Sequence, residues 1–192
     1  MSKKLAFLMD MVSCNNCKTC EVACKMEFQL PYGIQWRRVR VNEYVKENPK
    51  RFEQGFLTMS CNHCDNPVCK GVCPVNAYSV NAETGIVIQN SEVCIGCQSC
   101  ISACPYGAPV YDKDINKVGK CDFCIDRLNA GLLPACVETC PNNALLCGPI
   151  GDMQKEGKVR GGGYTYINEP SITPISKTNP RIVICPTANS KP

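Results

Sequence analysis

The sequence predicts an α+β fold: two interlocked units of short helices and β-hairpins, followed by an irregular C-terminal extension. Three observations carry that expectation. Of 192 residues, 18 are cysteine, and sixteen of these fall into four groups of four. A strand–turn–strand stretch separates the second group from the third. Leu, Ile, Val and Phe together supply only 43 residues, a share close to that of chains that cannot build a packed core. Something other than aliphatic burial has to hold a chain of this length together.

The groups come in order. The first is Cys14, Cys17, Cys20 and Cys24, spaced C-x2-C-x2-C-x3-C. The second is Cys61, Cys64, Cys69 and Cys73 (C-x2-C-x4-C-x3-C), followed by Pro74. The third, Cys94, Cys97, Cys100 and Cys104, repeats the first spacing and is followed by Pro105. The fourth, Cys121, Cys124, Cys136 and Cys140, carries an 11-residue insert before its third cysteine and is followed by Pro141. Cys147 and Cys185 are left over and read as ordinary buried thiols.

A C-x2-C-x2-C loop curls so that three sulfurs converge on one iron–sulfur cubane, while the fourth cysteine faces away and ligates a second cluster, as in two-cluster bacterial ferredoxins. The following proline turns the chain away and brings no amide N–H that needs a partner. Zinc knuckles are paired C-x2-C motifs closing on one tetrahedral ion, and a disulfide framework does not use C-x2-C bridges; neither suits this pattern. Four complete quartets therefore predict four [4Fe–4S] clusters.

Between the second and third quartets, VNAYSVNAETGIVIQNSEV reads as strand, Asn/Glu/Gly turn and strand. That hairpin makes these quartets one ferredoxin-like unit, residues 51–114. Exchanging fourth ligands gives Cys61, Cys64, Cys69 with Cys104, and Cys94, Cys97, Cys100 with Cys73. By elimination the first and fourth quartets form an outer unit, residues 1–50 and 115–150. Its ligand sets are Cys14, Cys17, Cys20 with Cys140, and Cys121, Cys124, Cys136 with Cys24. Residues 151–192, rich in Gly and Pro and poor in periodicity, read as an extension lying on a partner.

Charge excludes one class of function. Lys and Arg exceed Asp and Glu by a formal +4, but four clusters with their thiolates carry about −2 each and turn the particle acidic. A nucleic-acid partner then has no electrostatic rationale. No stretch approaches the ~20 apolar residues that cross a bilayer, and the start MSKKLAFLMD shows neither an apolar leader nor twin arginines. Gly161, Gly162 and Gly163 are consecutive and follow no strand, so they make no phosphate loop. His63, the single histidine, rules out a Ser–His–Asp grouping elsewhere. It sits inside CNHC, where it either packs near a cluster or tunes it by a hydrogen bond.

The remaining segments read as follows. IQWRRVRVNEYV, residues 34–45, is a strand with Trp36, Arg37, Arg38 and Arg40. It is either a solvated edge protected by positive charge or a docking face, since Trp and Arg anchor interfaces. Lys25 takes the place of the proline after Cys24, and a cation there favours the reduced cluster. The insert IDRLNAGLLPA is a short helix stopped at Gly131, with Pro134 leading back.

On SCNHCDNPVC, CIGCQSCISACPYGAP, KCDFCIDRLNAGLLPACVETCP, GPIGDM and NPRIVICPTANSKP, the chain resembles the four-cluster iron–sulfur subunits of the complex molybdopterin oxidoreductases, in particular the electron-transfer subunit type of dimethyl sulfoxide reductase. The resemblance spans essentially the whole chain. It implies an electron-transfer subunit without catalysis of its own, a large molybdenum (or tungsten) catalytic partner, and a membrane anchor that oxidises quinol. It also implies a peripheral place on a membrane-associated complex, either exported with a twin-arginine partner or kept in the cytoplasm. The alternative from the residues alone is a free-standing polyferredoxin or hydrogenase-linked carrier.

Overall fold

The computed structural model of the chain describes residues 3–45, 52–160 and 175–185. It is organised around one apolar run near the start. Leu5–Asp10 (β1) is buried from its second residue onward, on both faces, as expected of a strand covered above and below. The chain then curls through the first cysteine loop into α1 (Thr19–Glu27) and a long antiparallel hairpin, β2 (Arg38–Val45) with β3 (Phe52–Met59).

The second quartet carries α2 (Val68–Gly71) and leads to the hairpin of β4 (Tyr78–Val80) and β5 (Val87–Gln89), turned at Asn81–Gly85. This is the strand–turn–strand expected between quartets two and three. The third quartet carries α3 (Ser99–Ala103), and a further hairpin follows, β6 (Val110–Asp112) with β7 (Lys117–Gly119). In the fourth quartet the insert folds as α4 (Ile125–Asn129), stopped by Gly131 at φ +74°, before Pro134 caps α5 (Ala135–Glu138). Glycine suits that stop because a left-handed residue costs it nothing.

Beyond the quartets come β8 (Leu145–Pro149), α6 (Ile150–Val159), α7 (Ile175–Thr178) and β9 (Ile182–Cys185). Here the structure corrects the expectation of an irregular extension. β9 joins β1 in parallel and β8 joins it antiparallel, in the order β8–β1–β9. α6 covers one face, where Leu8, Val183, Cys185, Ile150 and Met153 pack together. The other face, with Phe7, Met9, Ile182 and Ile184, meets Leu57, Phe123 and Leu145 in the main core. The sequence hides this strand because IVIC is buried on both faces and is too short to show a pattern. Gly161, Gly162 and Gly163, and the tail past residue 185, lie outside the described residues.

Two ties fix the sheet to the cysteine loops. Asp10 accepts the Val12 and Ser13 amides and the Ser13 hydroxyl, opening the first loop. Arg160, at the end of α6, reaches the same carboxylate at 3.3 Å and the Asn143 carbonyl at 2.9 Å. No helix among the described residues is long and apolar enough to cross a membrane.

Candidate iron–sulfur sites

The first C-x2-C step of each quartet is built the same way. Its second intervening residue, Asn16, His63, Gly96 or Phe123, has positive φ, and Lys18, Gln98 and Cys124 add further left-handed residues. Alternating right- and left-handed residues turn successive amide N–H groups into one concavity, which suits anionic sulfur. Amides of His63, Gly96 and Phe123 donate to the sulfurs of Cys61, Cys94 and Cys121 at 3.4–3.5 Å, and Ala77 donates to Cys73 at 3.3 Å. At Gly96 no other residue fits, because a Cβ would lie 2.5 Å from the Asn116 carbonyl oxygen.

The loops bring sulfurs together across quartets. Cys14, Cys17, Cys20 and Cys140 line one space of about 350 Å³. Cys61, Cys64, Cys69 and Cys104 line another of about 360 Å³. Cys73, Cys94, Cys97 and Cys100 line a third of about 300 Å³. Cys24 lies in the field of Cys121, Cys124 and Cys136, and all four are buried. No disulfide joins any of the 18 cysteines. Among the described residues no three His, Cys, Asp or Glu side chains close on a single ion. Each of the first three of these groups of sulfurs lines one common space.

Burial sets the electrostatics. It pushes Cys64, Cys69 and Cys124 up to about 12 and Cys24 higher still, and neighbouring thiolates add to the rise. Such thiols do not ionise on their own near neutral pH; a bound metal displaces the proton. Four buried polar atoms lack a hydrogen-bond partner among the described residues, Asn16 Oδ1, Trp36 Nε1, Asn62 Nδ2 and Tyr78 Oη, and the last two face cysteine sulfur. Asn62 lines the Cys61 space and Tyr78 faces Cys100. Cluster and cysteine sulfurs would give both an acceptor, so the residues fit the group.

Sulfurs of different groups lie within each other's field. Taking the groups in the order Cys14, Cys121, Cys61 and Cys94, Cys20 of the first feels Cys136 of the second, and Cys121 of the second feels Cys61 of the third. Tyr78 feels Cys61 and Cys69 of the third and Cys100 of the fourth. His63 stands at the middle junction. The Val87 amide donates to its Nδ1 at 3.1 Å, so the neutral ring carries its proton on Nε2, 3.8 Å from the Cys121 sulfur. The ring also meets Phe123 edge-on at 5.2 Å, Phe123 stacks on Phe7 at 4.1 Å, and Arg37 lies 4.6 Å above Phe7. His63 therefore packs in the core with its Nε2 directed at a cysteine sulfur.

Three expectations need correction. Arg37 is neither a solvated edge residue nor part of a docking face: it is 1% exposed. The strand begins one residue later, and the side chain turns inward where two adjacent arginines must point to opposite faces. Trp36 packs on Phe28 at 4.7 Å and against Gly119. Lys25 donates to the carbonyls of Pro31 and Ile34, so it closes a loop and does not stand over a sulfur. Of the leftover cysteines, Cys185 is fully buried, whereas Cys147 is half-buried within the field of Cys136, and burial raises it to about 12. Two further cations are invisible to sequence reasoning. Lys120 is buried and donates to the carbonyls of Val87 and Cys121. Arg181 is buried and donates to those of His63, Thr84 and Gly85.

Residues 52–150 match the 4Fe-4S dicluster domain family. Across 201 residues the chain is 38% identical to the B subunit of anaerobic dimethyl sulfoxide reductase from Escherichia coli, covering all of this chain and 93% of that one. It is 36% identical over 195 residues to the B subunit of polysulfide reductase from Wolinella succinogenes, covering 97% and 96%. The B subunit of tetrathionate reductase from Salmonella typhimurium is 42% identical over 151 residues, 78% of this chain and 59% of that protein.

Proposed function

The chain belongs to the 4Fe-4S dicluster family and, within it, to the electron-transfer B subunits of reductase complexes; on that premise we propose that it relays single electrons through four [4Fe–4S] clusters to or from a large molybdopterin catalytic subunit. When bound, each cluster supplies a one-electron station; the chain holds and spaces the stations. The assigned ligands are Cys14, Cys17, Cys20 and Cys140; Cys24, Cys121, Cys124 and Cys136; Cys61, Cys64, Cys69 and Cys104; and Cys73, Cys94, Cys97 and Cys100. The observation that carries this reading is that three-cysteine loops meet the fourth cysteine of another quartet around one apolar space. The same exchange groups residues 1–50 with 115–150 as an outer unit around 51–114. Residues 151–192 form the extension for partner contact, with β9 also completing the sheet that α6 covers.

Exposure supports two partners. Only Cys17 and Cys97 are exposed among the 18 cysteines, one in each end set. Val12, Val22 and Met26 are exposed around the first, and Val93 and Ile95 around the other. Isolated apolar groups are normal on surfaces; of these, Ile95 lines the same space as Cys97. One end fits the catalytic subunit and the other a quinol-oxidising membrane anchor, which makes the chain a peripheral subunit, exported with a twin-arginine partner or retained in the cytoplasm. The relatives are named for dimethyl sulfoxide, tetrathionate and polysulfide; the catalytic partner selects among such substrates.

Anaerobic purification of the native complex tests the proposal. A large molybdopterin subunit should co-purify, with about 16 iron and 16 sulfide per copy of this chain. A monodisperse 21.1 kDa monomer, or tightly held zinc in place of iron, refutes it.

A further inference from the structure

Arg37 is the one buried arginine whose charge no carbonyl or carboxylate answers among the described residues. Its Nη1 donates to Thr58 Oγ1 at 3.2 Å and its Nη2 to Ser60 Oγ at 2.9 Å. These are neutral hydroxyls, and the ion pairs of the described residues do not include it. Arg181, by contrast, has three carbonyls and Asp65 at 3.7 Å. Guanidinium stays charged in proteins, and an uncompensated buried cation costs several kcal/mol. The compensation has to come from anionic sulfur. Thr58 Oγ1, which accepts from Arg37, lies 3.4 Å from Cys20 Sγ in the first set. Cys136, in the second set, lies beside the guanidinium itself.

We propose that Arg37 is a positioning residue for electron transfer, a buried cation shared by the Cys14 and Cys121 sites that raises the reduction potential of both clusters. Reduction adds one electron, and so one negative charge, to a centre beside this fixed cation. In a low-dielectric interior that attraction is weakly screened, so the reduced state gains more than the oxidised one. Charge near a cluster is one of the means by which proteins set its potential. The sulfurs of Cys136, Cys121, Cys20 and Cys24 surround the buried guanidinium. Among the described residues no hydrogen bond or ion pair joins Arg37 to the Cys61 or Cys94 sites, so its effect is strongest on one pair. Nothing in IQWRRVR distinguishes Arg37 from Arg38 except the alternation of a strand.

The inference rests on the four-cluster reading, and the experiment separates the two. The assembled complex carrying Arg37→Gln or Arg37→Lys is assayed first for iron and sulfide, then titrated electrochemically with EPR detection. Signals are assigned beforehand through Cys17→Ser and Cys124→Ser. With full iron, Arg37→Gln should lower the reduction equilibrium of the Cys14 and Cys121 centres at least tenfold, ~59 mV for a one-electron couple. The Cys61 and Cys94 centres should move less than a third as far. Arg37→Lys, which keeps the charge, should restore more than half of the shift. If Arg37→Gln does not retain its iron, Arg37→Lys decides alone: any shift has to be confined to the same two centres. Equal movement of all four centres, no movement at full iron, or a lysine variant as displaced as glutamine overturns the proposal. Low iron in the unsubstituted complex instead sinks the four-cluster reading.

Discussion

Replacing Arg181 with methionine should loosen the join between the last strand and the cysteine loops. The side chain is 4% exposed and its fork donates to His63 O at 2.6 Å, Thr84 O at 2.8 Å and Gly85 O. Methionine keeps most of the stem and removes every donor. All three carbonyls lose a charged partner, but Thr84 O still accepts the Leu5 amide at 2.9 Å, so two of them, those of His63 and Gly85, are left without a donor among the described residues. Hydrogen bonds to charged groups contribute roughly 1.5–3 kcal/mol each. Removing a buried cation also relieves its own desolvation, which offsets part of the loss. The lower bound, about 3 kcal/mol, makes local opening roughly a hundredfold more frequent. Native-state hydrogen exchange by mass spectrometry reads it directly, in peptides covering residues 182–185 and 84–87. Arg181→Lys should rescue little, since one point charge cannot span the three carbonyls. Gly85→Ala should mimic the loss, because its Cβ would overlap the guanidinium, and the double variant should be far from additive. Unchanged exchange in Arg181→Met, or full rescue by lysine, refutes this account of the join.

Other outcomes follow from the same geometry. Cys104→Ser should remove the centre built by Cys61, Cys64 and Cys69, and Cys73→Ser the one built by Cys94, Cys97 and Cys100; EPR of both variants checks the exchange, and loss in the opposite order refutes it. His63→Leu should strip the buried Val87 amide of its acceptor, costing about 1–3 kcal/mol, and lower the potential of the Cys121 centre selectively in a redox titration. Gly96→Ala forces a Cβ to within 2.5 Å of Asn116 at a left-handed position, at a cost of about 1–3 kcal/mol, and should reduce iron content on purification. Lys155→Ala, which breaks an exposed pair with Asp152 at 3.5 Å, should change thermal stability by less than about 0.5 kcal/mol and serves as the control.

The cysteine loops are legible in sequence because their chemistry is local: spacing, a following proline and a turn sequence are all written within a few residues. The β4–β5 hairpin and the Gly131 stop are legible for the same reason. What the residues do not reveal is whatever depends on long-range closure. Arg37 and Arg38 look alike in sequence, and only the sheet decides which turns inward. Arg181 sits beside IVIC with no motif around it, although an arginine heading a wholly buried strand has to find acceptors. α6 escapes a sequence reading because IGDMQKEGKV has a single apolar edge that needs β1 and β9 beneath it to mean anything. Lys25 shows the reverse error, in which adjacency in sequence suggests a role that the side chain's direction does not support.

β1 lies between β8 and β9, so the earliest strand of the chain waits for the latest ones. That has a consequence for biosynthesis. At about 5–20 residues per second, Cys24 and the first loop leave the ribosome well before Cys121, Cys136 or Cys140, and before Ile182 can close the sheet. The nascent chain therefore carries the thiols of the first loop without the partners that would enclose them, and their closure is a long loop. Closing the β8–β1–β9 sheet is a late event, set by the release of the C-terminal strand. A stalled or truncated chain ending before β9 should then be a substrate for proteolysis.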